Sequence, residues 1–241
     1  MASNALCFLL PFLLHAFISN VVCLEFSPQF NLSGDKENYN HVMAANTACE
    51  LRELDHFILA LRWMPSICSK EKAERCKTPV PTHIVIHGLW SVDQYGANVV
   101  YCGEDNFNLF DNRSTDPTTE FFAQEWHMHG SCSGLSQANY FGTSLELHEK
   151  ENLLDRLKGL GFGPHPTKAY NPSEIIAAYY DKYKVVMKIL CVKKSSSPLV
   201  EQIAEFHFRV NKDTKTIESI TGDSNLCETT NVQFPDKYYS L

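Results

Sequence analysis

The sequence predicts a single domain of the α+β class. Its 241 residues are many for one domain and few for two. Hydrophobic residues make up 44% and charged residues 20%, proportions that are typical of a globular protein and exclude a mainly disordered chain. Segments with helical and strand-like patterns interleave without a regular βαβ alternation, which indicates the α+β class.

The predicted elements follow from hydrophobic periodicity and from helix and strand breakers. The β-branched run His83–His87 is followed by a glycine, which indicates a buried strand. Leucines at helical spacing predict one amphipathic helix over Asn139–Leu160. The apolar run His56–Trp63 is too short to distinguish a helix from a strand. Further helices are predicted at Thr118–His129 and Ser173–Tyr183, further strands at Lys184–Val192, Ile203–Val210 and Thr216–Ile220, and a long loop at 91–117.

The amino terminus is typical of a secretory signal peptide. Residues 1–23 contain no Lys, Arg, Asp or Glu, and a largely apolar run extends from Leu9 to Cys23. A membrane anchor is the weaker alternative, because polar residues and a proline leave the run short of about 20 apolar residues. We therefore expect a signal peptide at 1–23, an extension at 24–50 and the folded domain at 51–241. The mature protein is expected to be secreted, or delivered to a vacuole, and to make no membrane contact.

Cysteine usage agrees with export. Seven cysteines remain after Cys7 and Cys23 are set aside, and they suggest three disulfides and one further thiol. Spacing alone leaves the connectivity open. Glycosylation sequons at Asn31 and Asn112 fit the same compartment.

The net charge argues against two classes of function. The chain has 21 Lys and Arg against 28 Asp and Glu, a formal charge of −7 with histidines neutral. This balance argues against a general nucleic-acid coat and against a basic membrane-surface protein. An enzyme that contacts a polyanion through a few local donors remains compatible with it.

Two short segments combine histidine, aromatic and glycine residues in a way that packing does not require. The first places His87 and Trp90 at the end of a predicted strand, and the second places Glu125 and His129 at the end of a predicted helix. Glu125 and His129 are four residues apart and share one helical face. Two imidazoles and a carboxylate suit transfer chemistry at phosphorus, in which one imidazole removes a proton and the other donates one. Trp90 is expected to pack against an imidazole or to stack on a base.

Each of these residues also has a structural interpretation. Glu125 and His129 would stabilise the helix by only about 0.2–0.5 kcal/mol as a surface pair.

A zinc site is another alternative, with His127, His129 and Cys132 as ligands and His83 or His87 as the fourth. It is disfavoured, because the paired close spacings of structural zinc sites are missing and a disulfide suits Cys132 better.

Both segments resemble the active-site motifs of the T2 family of secreted ribonucleases, which includes the plant S-ribonucleases and S-like ribonucleases. The first family motif is an aliphatic strand followed by His-Gly-Leu-Trp-Pro, and it matches residues 84–91 with Ser91 in place of proline. The second is His-Glu-Trp-x-Lys-His-Gly-x-Cys, and it matches residues 124–132. The resemblance extends over about residues 54–236.

The resemblance implies a role for each motif residue. His129 would be the general base that takes the 2′-hydroxyl proton, and His87 the general acid at the 5′-leaving oxygen. Glu125 would assist at the phosphate and tune His129. The product would be a 2′,3′-cyclic phosphate.

The resemblance also implies the surroundings of the site. The fold would be a central antiparallel sheet flanked by helices, with no cofactor and no metal. The partner would be single-stranded RNA, and we expect a monomer. The disulfide pattern of the family implies the pairs Cys68–Cys76, Cys102–Cys132 and Cys191–Cys227. Cys49 would then have no partner within the chain.

Two departures from the second motif concern the substrate-binding positions. Gln124 replaces a phosphate-contacting histidine, and Met128 replaces a lysine. Losing one charged donor at a developing anion costs about 10²–10³-fold in rate. We therefore predict an endoribonuclease of reduced activity. The alternative is an inactive relative that acts as a storage, recognition or RNA-binding glycoprotein, a self-incompatibility type of role included.

Overall fold

The computed structural model describes residues 53–70, 76, 79–102, 117–194 and 197–238. All of these belong to one compact unit, Glu50–Leu241. The predicted signal peptide and extension, both sequons and Cys49 lie outside the described residues. No helix within the described part of the chain is long and apolar enough to cross a membrane.

The described chain contains both helices and strands. The helices are α1 (Met64–Lys70), α2 (Pro117–Met128), α3 (Gln137–Glu151), α4 (Leu153–Gly159) and α5 (Pro172–Tyr183), with a 3₁₀ turn at Gly130–Cys132. The strands are β1 (His56–Trp63), β2 (Ile84–Val92), β3 (Ala169–Tyr170), β4 (Lys188–Lys194), β5 (Ser197–Asn211), β6 (Ile217–Glu218), β7 (Asn225–Leu226) and β8 (Val232–Gln233).

The strands form one mainly antiparallel sheet. Its main path is β2-β1-β5-β4-β7, and β1 pairs antiparallel with both β2 and β5. Two short contacts, β4 with β7 and β5 with β8, are parallel. The predicted α+β class with a central antiparallel sheet and flanking helices is thereby confirmed.

The sheet has one apolar and one polar face. Side chains alternate between faces along a strand, and the apolar set of β1 (Phe57, Leu59, Leu61 and Trp63) is fully buried in the core. The alternate positions place Arg62 of β1 on the other face. Its register partner there is Glu205 of β5, and His207 follows opposite Ala60. We call this second surface the polar face, and the candidate site lies on it.

Several element boundaries differ from the sequence prediction. The single helix predicted over Asn139–Leu160 is wrong, because Asn152 adopts a left-handed conformation (φ 43°) that ends α3 and precedes α4. Asparagine tolerates this conformation better than most side chains, and its side-chain amide donates to Asp155. Likewise β4 begins at Lys188 and not at Lys184, because Lys184 (φ 59°) caps α5.

Other elements differ from the prediction in type or in length. The ambiguous run His56–Trp63 is a strand, and β2 continues to Val92, into the segment predicted as a loop. The long β5 contains the predicted strand Ile203–Val210. The predicted strand at Thr216–Ile220 is reduced to the two residues of β6.

Among the described residues, three disulfides connect the elements. They are the pairs that the family resemblance implies: Cys68–Cys76, Cys102–Cys132 and Cys191–Cys227. Cys102–Cys132 joins the segment after β2 to the 3₁₀ turn after α2. This bond therefore ties together the two segments that carry the candidate histidines.

Candidate active site

His87 lies in a β-bulge of β2. Ala60 pairs with Gly88 and Leu61 pairs with Ile86, so His87 is the extra residue between two paired positions. A bulge re-aims side chains and is common beside active sites. Here it changes the alternation of the strand, so that Ile86 packs on the core while His87 contacts Arg62 on the polar face.

The end of α2 brings Glu125 and His129 to the same face. The backbone amide of His129 donates to the carbonyl of Glu125 at 3.0 Å, which completes the last turn of α2. The Ser91 hydroxyl donates to the His129 carbonyl at 3.0 Å and fastens this turn to the end of β2. At Gly130 a Cβ atom would overlap the Trp126 ring, so a glycine is required where the chain turns away.

Trp90 lies among the histidines of the site. Its ring centroid is 5.0 Å from that of His87 and 5.7 Å from that of His129. A third imidazole, His207, is 5.1 Å away. His87 and His129 are 42 positions apart in the sequence, and the two motif segments that carry them meet around a single indole.

Gly88 allows Glu125 to approach the strand. A Cβ atom at this position would overlap Glu125 Oε2 and would come within 2.5 Å of Trp90 Nε1. The carboxylate of α2 and the indole of β2 therefore both lie over the bare backbone of Gly88. The structure thus brings together His87, Trp90, Glu125 and His129, which the sequence predicted as one site.

Burial determines the charge of the α2 residues. Burial raises the pKa of Glu125 to about 7, although the nearby Trp90 indole and the positive charge of Arg62 act to lower it. Burial lowers the pKa of His129 to about 4, and repulsion from His87 adds to the effect. Neither Glu125 Oε2 nor His129 Nδ1 has a well-formed hydrogen bond to any described residue. At neutral pH His129 is therefore an uncharged imidazole.

Three further residues of the site were missed by the sequence analysis. Arg62, Glu205 and His207 lie on the polar face beside His87. The Arg62 Nη2 and Glu205 Oε1 atoms are 2.7 Å apart, and His87 Nδ1 is 3.1 Å from the same oxygen. His207 Nε2 is 2.7 Å from Glu205 Oε2. For Glu205 and His207 the available signal was the row of polar residues at alternate positions of β5, which Arg209 continues.

These contacts set the ionisation of Glu205 and His87. Burial acts to raise the pKa of Glu205, but its hydrogen bonds with His207 and His87 and the charge of Arg62 outweigh burial and hold that pKa well below its usual range. Burial lowers the pKa of His87, whereas the hydrogen bond with Glu205 acts to raise it. Glu205 is therefore a permanent anion next to this imidazole.

The two predicted substrate positions on α2 carry no charge. Gln124 is exposed, and its amide Nε2 lies 3.8 Å from the Met128 sulfur one helical turn away. A thioether is only a weak acceptor. The helix therefore offers no cation at these two positions.

The zinc alternative loses one of its ligands. Cys132 forms the disulfide with Cys102, so its thiolate is not free to bind a metal. Within the described residues no group of three or more His, Cys, Asp or Glu side chains has an arrangement that suits a metal ion.

Comparison with known proteins identifies the family. The model of the ribonuclease T2 family matches residues 54–220. The chain belongs to the ribonuclease T2 family. It is 27% identical to ribonuclease T2 of Homo sapiens over 190 residues, which cover 70% of this chain and 71% of the human protein. It is 26% identical to ribonuclease T2 of Sus scrofa over 200 residues, covering 76% and 98% of the two chains.

Solved structures of ribonucleases share the fold. RNase NT in complex with 5′-AMP superposes with a TM-score of 0.60 at 22% identity, over 76% of this chain and 99% of that one. The self-incompatibility associated SF11-RNase of Nicotiana alata gives a TM-score of 0.64 at 19% identity, over 76% and 100%. An RNase-related protein from Calystegia sepium gives 0.61 at 22% identity, over 76% and 98%. This T2 chain therefore has the fold of the family.

Proposed function

We propose that this T2 family member is an endoribonuclease that cleaves single-stranded RNA through a 2′,3′-cyclic phosphate, with reduced activity. The observation that carries the proposal is the meeting of His87, Glu125 and His129 around Trp90. RNA supplies its own nucleophile, the 2′-hydroxyl, so two imidazoles suffice for the proton transfers. We further propose that the protein is secreted as a glycosylated monomer.

His129 is the proposed general base. Its imidazole is uncharged at neutral pH, since burial lowers its pKa to about 4. It accepts the proton of the 2′-hydroxyl while the 2′-oxygen forms a bond to phosphorus.

His87 is the proposed general acid. The bond between phosphorus and the 5′-oxygen breaks, and His87 gives its proton to that oxygen. The carboxylate of Glu205 at 3.1 Å from His87 Nδ1 stabilises the protonated ring before transfer. Each such acid–base group contributes about 10²–10⁴-fold to the rate.

Glu125 is proposed to contact the phosphate. Because burial raises its pKa to about 7, a substantial fraction of this carboxyl group is protonated near neutral pH. A protonated carboxyl group donates a hydrogen bond to a phosphate oxygen, whereas a carboxylate would repel it. Trp90 would then support the imidazoles or stack on a base.

The uncharged Gln124 and Met128 account for the proposed loss of activity. A missing charged donor at the developing anion costs about 10²–10³-fold. The same observation favours the second candidate, a non-catalytic storage, recognition or RNA-binding glycoprotein on the same fold.

RNA cleavage by purified, disulfide-bonded protein in EDTA tests the proposal. We expect slow release of fragments that end in a 2′,3′-cyclic phosphate, identified by mass spectrometry. Met128→Lys is expected to raise the rate by about 10²-fold, and His87→Ala/His129→Ala is the inactive control. A wild-type rate equal to that of the double variant would support the non-catalytic candidate instead.

A further inference from the structure

One carboxylate organises the polar face beside His87. Glu205 Oε1 accepts from Arg62 Nε at 2.7 Å and lies 3.1 Å from His87 Nδ1, while Oε2 is 2.7 Å from His207 Nε2. Both oxygens are therefore occupied, and His207 contacts the oxygen that His87 and Arg62 do not. The Glu205 side chain is only 10% exposed, so water screens these interactions weakly.

Arg62 is in close contact with the same imidazole. Its Nη2 atom lies 2.9 Å from both ring nitrogens of His87. A nitrogen that is equally far from both ring nitrogens lies outside their in-plane hydrogen-bonding directions, so the guanidinium packs against the ring more than it hydrogen-bonds to it. Glu205 lies beside both groups and therefore offsets the repulsion between this guanidinium and the protonated form of His87.

The charge balance of this cluster favours an anionic ligand. Arg62 and Glu205 cancel, so protonation of His87 leaves one excess positive charge among these three side chains. The Arg62 side chain is 26% exposed, which leaves part of the guanidinium open to a ligand. A guanidinium is well suited to a phosphate because its planar fork matches two phosphate oxygens.

We propose that Glu205 is the positioning residue of His87, and that Arg62, held by the same carboxylate, is the cation that contacts the scissile phosphate. This inference rests on the proposed function and deepens it. It gives the site a cation from β1 where Gln124 and Met128 of α2 offer none. The ligand class is a phosphate monoester or diester.

The other ionisable groups around His87 are accounted for. Arg62 comes from β1, Glu205 and His207 come from β5, and Glu125 and His129 come from the end of α2. Arg62 and His207 oppose protonation of His87, and Glu205 favours it. Neutralising Glu205 therefore removes the contribution that favours the acid form of His87.

Phosphate binding tests the role of Arg62. The dissociation constant of inorganic phosphate is measured by calorimetry on the full-length mature protein. Arg62→Met is expected to weaken binding about 10- to 100-fold, the effect of losing a charged hydrogen-bond donor. Arg62→Lys should retain part of the affinity. The matched control is Arg209→Met, because Arg209 lies on the same face with a side chain 25% exposed but pairs with Asp55 and Glu218. Equal affinities for Arg62→Met and Arg209→Met would overturn the assignment.

Histidine NMR tests the role of Glu205. The titration of His87 is followed by its ring signals in the wild type, in Glu205→Gln and in the control Glu218→Gln. We expect the midpoint of His87 to move to lower pH in Glu205→Gln only. An unchanged midpoint, with the fold intact by circular dichroism, would refute the positioning role. If Arg62→Met does not fold, Arg62→Gln takes its place in the binding measurement.

The two proposals fail in different ways. A wild type that cleaves RNA, with phosphate affinity unaffected by Arg62→Met, would contradict this inference alone. A wild type that does not cleave RNA, with phosphate binding that depends on Arg62, would contradict the proposed function and leave the anion site in place.

Discussion

The two imidazoles of the site both lie against one indole but have different electrostatic surroundings. His87 has ionic neighbours: a carboxylate at 3.1 Å and a guanidinium at 2.9 Å. His129 is 5% exposed, and its Nδ1 has no hydrogen-bond partner among the described residues. Burial lowers the pKa of both, but only His87 has an anion that favours its protonated form.

This difference supports the proposed direction of proton transfer, from the 2′-hydroxyl to His129 and from His87 to the leaving oxygen. A general base must begin neutral, and burial without an anion keeps His129 neutral. A general acid must begin protonated, and Glu205 supports that form of His87. The reverse assignment would require a cationic His129 in a pocket that offers it no compensating charge.

The largest expected effect comes from replacing each histidine in turn. His87→Asn and His129→Asn should each lower the rate of RNA cleavage by about 10²–10⁴-fold. On uridine 3′-(4-nitrophenyl phosphate) the leaving group needs no proton, so His87→Asn should act nearly as fast as the wild type. His129→Asn should remain impaired, because the 2′-hydroxyl still requires a base. Initial rates on both substrates measure this. Equal impairment of the two variants on the nitrophenyl ester would contradict the different roles proposed for the two histidines.

The next largest effect is the pH dependence that Glu125 gives to the free energy of unfolding. Glu125 has a pKa of about 7 in the fold against 4.5 unfolded, so its stabilising contribution is complete below pH 4.5 and is lost as pH rises through 7. The free energy of unfolding of wild type minus that of Glu125→Gln should therefore fall by about 3 kcal/mol between pH 4 and 8. Urea denaturation at each pH measures it, and the buried Glu151, which also titrates near 7, cancels in the difference.

His129 should show the opposite dependence. Its pKa is about 4 in the fold against 6.5 unfolded, so its contribution is complete above pH 6.5 and is lost as pH falls through 4. The corresponding difference for His129→Gln should fall by about 3 kcal/mol toward low pH. Parallel slopes for the two variants would contradict the assignment of a neutral base beside a protonatable carboxyl group.

The sequence predicted the motif residues because each motif is local. Glu125 and His129 are one helical turn apart, so helix geometry puts them on one face. His87 and Trp90 are three residues apart on one strand, and they share a face only because of the bulge at His87. The family resemblance added that the two motifs meet. The β-bulge at His87 carries no comparable signal, because it depends on the pairing of β1 with β2.

The contact between Arg62 and Glu205 could not be predicted from local sequence patterns. Arg62 and Glu205 are 143 positions apart, and they meet only through the register of β1 against β5. A shift of one residue in that register would send Glu205 to the apolar face. The break at Asn152 was missed for a different reason: the leucine stripe continues through it, and asparagine is only a weak signal of a helix end.

The smallest effect is expected at Gly88, the position that both halves of the site share. The added methyl group in Gly88→Ala would overlap Glu125 Oε2 and crowd Trp90 Nε1, so the two groups must move. Overpacking of this kind costs about 1–3 kcal/mol. Gly142→Ala is the matched control, because nothing lies within 4 Å of its Cβ position in α3 and the helix gains about 0.5–1 kcal/mol. Thermal unfolding measures both variants. If Gly88→Ala unfolds at or above the wild-type temperature, Glu125 is not held against the strand, and its high pKa would need another cause.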